Sequence, residues 1–163
     1  MDKKESFTVA IKNNEGIIYK IAALYTNHSE DRDDLVQEII YQLWKSFGSF
    51  NHQSGLSTWL YRVAMNVAIY HLKTTKKRVS TVPLGSDMLN LHETEDTEME
   101  EKWELIKHQL NNLNLLDKGI ILLYLENKSY EEIAEIIGIS ETNVGTKLSR
   151  IKKKLKRRIN KKQ

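Results

Sequence analysis

Ser129-Tyr130-Glu131-Glu132-Ile133-Ala134-Glu135-Ile136-Ile137-Gly138-Ile139-Ser140 decides how the C-terminal end of this chain folds. Ser129 stands where a helix N-cap is needed, and Glu132, three residues on, is spaced to reach back as in a capping box. Ile133, Ala134 and Ile137 then share one helical face, and Ala134 is small enough for a close helix–helix approach. Gly138 can take the left-handed conformation that ends a helix. Ile139 plugs the turn and Ser140 caps the helix that follows. The spacing predicts two helices joined by a tight turn.

Further along, Val144, Leu148, Ile151, Leu155 and Ile159 recur at steps of four, three, four and four. The other faces carry Lys147, Arg150, Lys152, Lys153, Lys154, Lys156, Arg157 and Arg158, and no acid follows Glu141. An amphipathic hairpin with a solvated basic face is the plainer reading. The cap, the glycine turn and the single sign of charge on the last helix together favour a helix-turn-helix that reads DNA.

Composition narrows the rest. A chain of 163 residues holds one domain or two small ones. A single Pro and few Gly argue for helix throughout. The absence of Cys excludes disulfides and thiolate zinc sites. His28, His52, His71, His92 and His108 stand apart, with no His-x-x-x-His pair and no phosphate-cradling glycine loop, so no enzyme site, metal or cofactor is expected. No signal peptide and no long apolar run precede the helices, which predicts a cytoplasmic protein without membrane insertion. The net charge of +3 is unevenly spread: acids gather before the last segment and bases at the end, as suits a nucleic-acid partner.

Upstream, the pattern predicts helices to about Lys77. Val9, Ile17, Ile18, Ile21, Ala22 and Tyr25 form a first apolar face, followed by a polar break at Asn27-His28-Ser29-Glu30-Asp31. Asp34-Leu35-Val36-Gln37-Glu38 reads as the start of the next helix, where acids suit the helix dipole. Leu35, Val36, Ile39, Ile40, Leu43, Trp44 and Phe47 give its apolar side. After Asn51-His52-Gln53-Ser54-Gly55, Leu56, Trp59, Leu60, Val63, Ala64, Val67 and Ala68 give a third, and the whole reads as a helical bundle. From Arg78 to Glu98 the periodicity fails: Pro83, Gly85 and the acids Glu93, Glu95, Asp96 and Glu98 mark a linker, mobile in the free protein. Helical pattern resumes with Trp103, Ile106, Leu110 and Leu113 and runs through Leu116, Ile120, Leu123 and Tyr124. The fold class is all-α: two small helical domains, 1–77 and 99–163, joined by a flexible acidic linker at 78–98, the second domain ending in the helix-turn-helix.

Trp59-Leu60-Tyr61-Arg62-Val63-Ala64-Met65-Asn66 is the second informative stretch. Aromatic faces stack unpaired bases, an amide hydrogen-bonds a base edge, and Lys73, Lys76, Lys77 and Arg78 suit phosphates. Single-stranded DNA is the ligand this combination fits. Taken alone, Trp59 reads more simply as a core anchor and Asn66 as a helix-surface amide. On the preceding helix Gln37, Tyr41, Gln42 and Lys45 share a polar side open to a partner helix.

These blocks carry a resemblance. Asp34 to Glu38, Trp44, Phe50 and Ser57 to Asn66 resemble region 2 of the extracytoplasmic-function sigma factors of the sigma-70 family, and Leu113 to Leu155 resembles region 4. The resemblance covers nearly all of the chain except the linker. It implies a protein that binds bacterial RNA polymerase core, through the β′ clamp helices and the β subunit, and directs it to promoter DNA. The residues implied for core binding are Asp34, Leu35, Gln37 and Glu38, with Tyr41, Gln42 and Lys45 as polar neighbours on that helix. Those implied for opening the minus-ten element and holding a flipped base are Phe50, Trp59, Arg62 and Asn66, followed by Lys73, Lys76, Lys77 and Arg78. Those implied for the minus-thirty-five element are Thr142, Asn143, Thr146, Lys147, Ser149 and Arg150. An anti-sigma factor is a further partner found for many members.

Two departures stand out. Asn114 takes a place often held by Pro, and Gly145 one commonly held by a basic residue. The glycine costs roughly 1 kcal/mol of helix propensity against alanine. It also removes a DNA contact or lets the backbone approach DNA closely. A repressor or response-regulator output domain accounts for the C-terminal half but leaves Trp59–Asn66 and the polar helix unexplained.

Overall fold

The computed structural model describes residues 2–75 and 97–161. The described residues form seven helices and no strand. They fall into two compact units, one within Met1–Asn90 and one within Leu91–Gln163. Of the stretch expected as a linker, 78–96 lies outside the described residues, and 97 and 98 already belong to a helix.

The first unit packs α1 (Lys3–Tyr25), α2 (Ser29–Phe47) and α3 (Leu56–Thr75) against one another. A capping box opens α1. The Glu5 backbone N–H donates to the Asp2 carboxylate at 2.8 Å, and the Asp2 N–H donates to Glu5 at 3.4 Å. The buried line of α1 runs through Phe7, Ala10, Ile18, Ile21 and Tyr25. Val9, expected on that face, is 47% exposed. The physical reason is phase: the helical steps leading back from Tyr25 land on Ala10 and Phe7, and Val9 sits opposite. Asn14 lies in the buried line and kinks the helix with a non-helical φ of −129°. Its side-chain amide donates to the Ala10 carbonyl at 2.8 Å, the same acceptor that an unbroken helix offers to its backbone N–H.

The second helix also differs from expectation. It begins at Ser29, not at Asp34. Glu30 and Asp31 occupy its first turn, where acids meet the positive end of the dipole, so the presumed polar break is the helix start. Leu35, Ile39 and Leu43 are fully buried, as are Leu60, Ala64 and Ala68 of α3, in the core of this unit, where the two helices pack.

The second unit holds α4 (Thr97–Leu110), α5 (Leu115–Leu125), α6 (Tyr130–Ile137) and α7 (Glu141–Lys161). Asn114 caps α5: its side-chain oxygen accepts from the Asp117 N–H at 2.8 Å. The departure from Pro is thus a working helix start, with a cap of this kind contributing about 1 kcal/mol. Asn127, at φ 63°, ends α5. The Lys128 N–H donates to the Leu123 carbonyl and the Asn127 N–H to that of Tyr124, both at 3.0 Å, which is a Schellman closure. In α4, Leu110 is buried, but Ile106, expected beside it, is exposed together with Leu105. The line that α4 buries runs through Lys107 and Leu110, and Ile106 falls off it.

Candidate nucleic-acid interface

The helix-turn-helix forms as its sequence predicts. The Ser129 hydroxyl accepts from the Glu132 N–H at 3.1 Å, and the Glu132 carboxylate meets that hydroxyl at 3.3 Å and the Lys128 ammonium at 3.7 Å. Gly138 adopts φ 86°, and its N–H and that of Ile139 both donate to the Ala134 carbonyl. The Ser140 hydroxyl accepts from the Asn143 N–H at 3.1 Å. Ile133 is buried as expected, but its companion is Ile136; Ala134 and Ile137 sit half-buried at the edge. A helix of eight residues buries a narrow line against its neighbours, and the three-residue step takes that place.

Val144, Leu148 and Ile151 bury the inner side of α7. The opposite side presents Thr142, Asn143, Thr146, Ser149 and Arg150, all exposed, with Lys153 and Arg157 continuing the same face. The Thr146 hydroxyl donates to the Thr142 carbonyl at 3.1 Å. Polar groups of the kind suited to base edges and cations of the kind suited to phosphates therefore share one open surface.

The bases of α7 are not equivalent. Lys147 lies at the border of the inner side, 4.0 Å from the Asp117 carboxylate of α5. Lys152 donates to the Tyr124 hydroxyl at 3.0 Å with its ammonium over that ring. This hydrogen bond holds the lysine pKa above its ordinary value. Arg158 donates to the Gln109 carbonyl at 3.3 Å, satisfying one of the open carbonyls at the end of α4. The three tied bases could not be told from the others by spacing. Gly145 faces the Tyr130 ring of α6, whose nearest carbon would lie 3.5 Å from an added Cβ. The glycine thus sits beside α6.

In the first unit α2 presents Asp34, Gln37, Glu38, Tyr41 and Lys45 as one exposed stripe, and Gln42 is half-buried. The Lys45 ammonium lies over the Tyr41 ring, 5.4 Å from its centroid. Leu35 does not belong to the stripe: it is 0% exposed, so its side chain presents nothing to a partner. The i, i+4 rows that carry the stripe alternate with those that fill the core.

Of the residues expected to form one base pocket, Phe50 and Asn66 line separate hollows. Phe50, with Phe47, His52 and Leu56, lines a cavity of 710 Å³ closed on the other side by Lys3, Ser6 and Ala10 of α1. Trp59 is 9% exposed, with the rings of Phe50 at 5.0 Å and Phe47 at 6.1 Å. Phe7 extends the cluster to Phe47 and Trp44. Trp59 is therefore a packing anchor that sets the loop carrying Phe50. Asn66 is exposed and lines a separate hollow of 380 Å³ with Val67, Tyr70, His71 and Thr74 of α3 and Glu38 and Gln42 of α2. Gln42 donates to Glu38 there at 3.1 Å. Tyr70, one turn beyond Asn66, is 71% exposed and is an aromatic that the sequence reading passed over. Arg62 is half-buried and Lys73 exposed; Lys76, Lys77 and Arg78 lie outside the described residues. Among the described residues no group of three acids or histidines stands close enough to hold a metal ion. No described helix is long and apolar enough to cross a membrane.

Comparison with known proteins agrees with this geometry on both units. Residues 10–78 match the Sigma-70 region 2 model, and residues 103–155 match a Sigma-70 region 4 model. The ECF RNA polymerase sigma-E factor of Haemophilus influenzae is 30% identical over 162 aligned residues, covering 91% of this chain and 82% of that protein. Two solved structures share the fold. CnrH in complex with the cytosolic domain of CnrY superposes with a TM-score of 0.72 at 16% identity, over 99% of this chain and 92% of that one. The sigma factor RpoE from Bartonella quintana, in complex with the anti-sigma factor NepR, gives 0.64 at 20% identity over 96% of each chain. With both region models matched in chain order and a 30%-identical relative aligned over 82% of its length, the protein belongs to the sigma-70 family as an extracytoplasmic-function sigma factor.

Proposed function

We propose that this sigma factor directs promoter-specific initiation through three surfaces. The exposed stripe of α2, from Asp34 to Lys45, docks on the β′ clamp helices of core polymerase. The α3 face around Asn66, with Phe50 on the loop before it, engages the opened minus-ten strand. The outer face of α7 reads the minus-thirty-five element in the major groove. The observation that carries this reading is α7 itself: it buries Val144, Leu148 and Ile151 and leaves Thr142, Thr146, Ser149 and Arg150 on one open face. A helix used only for packing has no need of an acid-free outer side, whereas a phosphate-facing one does.

The division at 1–77 and 99–163, with α4 beginning two residues earlier at Thr97, gives one DNA-reading module on each side of the connecting stretch. The role is one of binding, with no chemistry of its own, and it is exercised in the cytoplasm, where polymerase and promoter meet. An anti-sigma factor is a further partner, on the precedent of the RpoE complex. Purified protein added to bacterial core polymerase on genomic template tests the reading. Discrete start sites that share a pair of upstream elements are expected. A protein that binds DNA alone and leaves the start sites of core polymerase unchanged is a repressor, and the proposal fails.

A further inference from the structure

Asp117 is the third residue of α5, and its backbone N–H is taken by the Asn114 cap. Its side chain is 15% exposed and meets α7. The buried Oδ1 has no hydrogen-bond partner, and the Lys147 ammonium stands 4.0 Å from it. A carboxylate so far out of water, with one oxygen lacking a donor, is costly unless a charge offsets it. The positive end of α5 supplies part of that offset. Lys147, whose side chain is 34% exposed, supplies the rest. The lysine therefore lies back against α5, while Thr146, Ser149 and Arg150 stand open. The ammonium stands where it offsets Asp117, and moving it outward to a DNA acceptor weakens that offset.

We propose that Asp117 is a positioning residue for promoter binding and that it acts by holding Lys147 back from DNA. The proposal rests on the placement of Lys147 in the minus-thirty-five surface. When Lys147 turns to DNA, Asp117 is left with the helix dipole alone, at a cost that is the same on every sequence. A phosphate in a loose non-specific complex returns little beyond counterion release. A guanine edge, with O6 and N7 both accepting from one lysine, returns more. Asp117 thus holds Lys147 away from non-specific phosphates and releases it where the base edge compensates. The residue lies on α5, outside the recognition helix. It does not touch DNA, since a mostly buried acid next to phosphates has nothing to donate.

The test uses the full chain and fluorescence anisotropy on two duplexes, one carrying the minus-thirty-five element selected by the wild type and one scrambled. Wild type, Asp117→Asn, Lys147→Gln and the double variant are titrated between about 50 and 200 mM salt, the range over which counterion release is legible. Asp117→Asn is expected to bind the scrambled duplex roughly 3- to 10-fold tighter, with a salt slope steeper by about one, as for one added phosphate contact. Its affinity for the selected element should rise at least as much, because there the full cost of leaving Asp117 is removed. In the Lys147→Gln background the same substitution should change neither affinity nor slope. Equal tightening in both backgrounds would mean plain charge repulsion and would overturn the proposal, as would no tightening at all. If Lys147→Gln alone leaves both duplexes bound as in the wild type, Lys147 is no DNA contact, and both the placement and the proposal fail. Thermal melts check that each variant is folded, and Asp117→Ser gives a second neutral replacement should the amide fold poorly.

Discussion

In the second unit one helix carries the whole candidate site; in the first the site is shared by two helices and a loop. The outer face of α7 is continuous, and its members follow from helical phase alone. The first unit instead separates Phe50 from Asn66 and brings Asn66 to Glu38 and Gln42, which belong to the face expected to dock on polymerase. The difference teaches that a site on one helix moves with that helix. A site shared by α2 and α3 depends on their packing. On the proposed roles, partner docking on α2 and strand capture on α3 meet at one hollow, and binding core polymerase would then set how Asn66 is presented.

The largest expected effect sharpens that contrast. Trp59→Ala removes the ring that seats Phe50 and Phe47, and should cost about 3–5 kcal/mol of stability. Chemical denaturation should show the first unit unfolding early and the second unchanged. An unaltered first transition would show that the aromatic cluster does not hold the loop.

Next comes a pair of arginines on α7. Arg150→Ala should lose about 1–3 kcal/mol of minus-thirty-five affinity, with stability nearly intact. Arg158→Ala should lose about 1 kcal/mol of stability, through its bond to Gln109, and leave sequence preference alone. Binding selections and thermal melts on both proteins give the comparison. Reversed roles would mean that the reading face has been drawn on the wrong side of α7.

Asn66→Ala is expected to act without touching the core, because Asn66 is exposed. Losing one base hydrogen bond should lower promoter opening by about 1 kcal/mol, or several-fold, at unchanged affinity for core polymerase. Fluorescence of a base analogue in the minus-ten element reads this directly. Normal opening by the folded variant returns Asn66 to an ordinary surface amide. A loss of core affinity instead would show that the shared hollow serves docking.

The smallest effect is a gain. Gly145→Ala should stabilise the second unit by about 0.5–1 kcal/mol, since the new Cβ meets the Tyr130 ring at ordinary contact distance and the helix gains propensity. DNA affinity should stay as it is. A fall in affinity with higher stability would mean that DNA needs the bare backbone at Gly145.

The sequence by itself determined what is decided within about four residues along the chain. Ser129, Gly138 and Ser140 cap and turn as their types require, because each hydrogen bond closes inside the local backbone. The same range fixed the all-helical class and the inner line of α7. Some local signals were present but outweighed: Glu30 and Asp31 mark the start of α2, and helical phase sets Val9 apart from Phe7 and Ala10. Tertiary structure alone decided which like residues serve unlike ends. Lys147, Lys152 and Arg158 are tied to Asp117, Tyr124 and Gln109, partners 28 to 49 residues away for the last two, while Arg150 stays open. Leu35 went to the core and its neighbour Asp34 to the surface, and Asn66 came to share a hollow with Gln42 of another helix. Such choices depend on which helices meet and at what angle. Side-chain packing between elements distant in the chain sets that angle, and no local period encodes it.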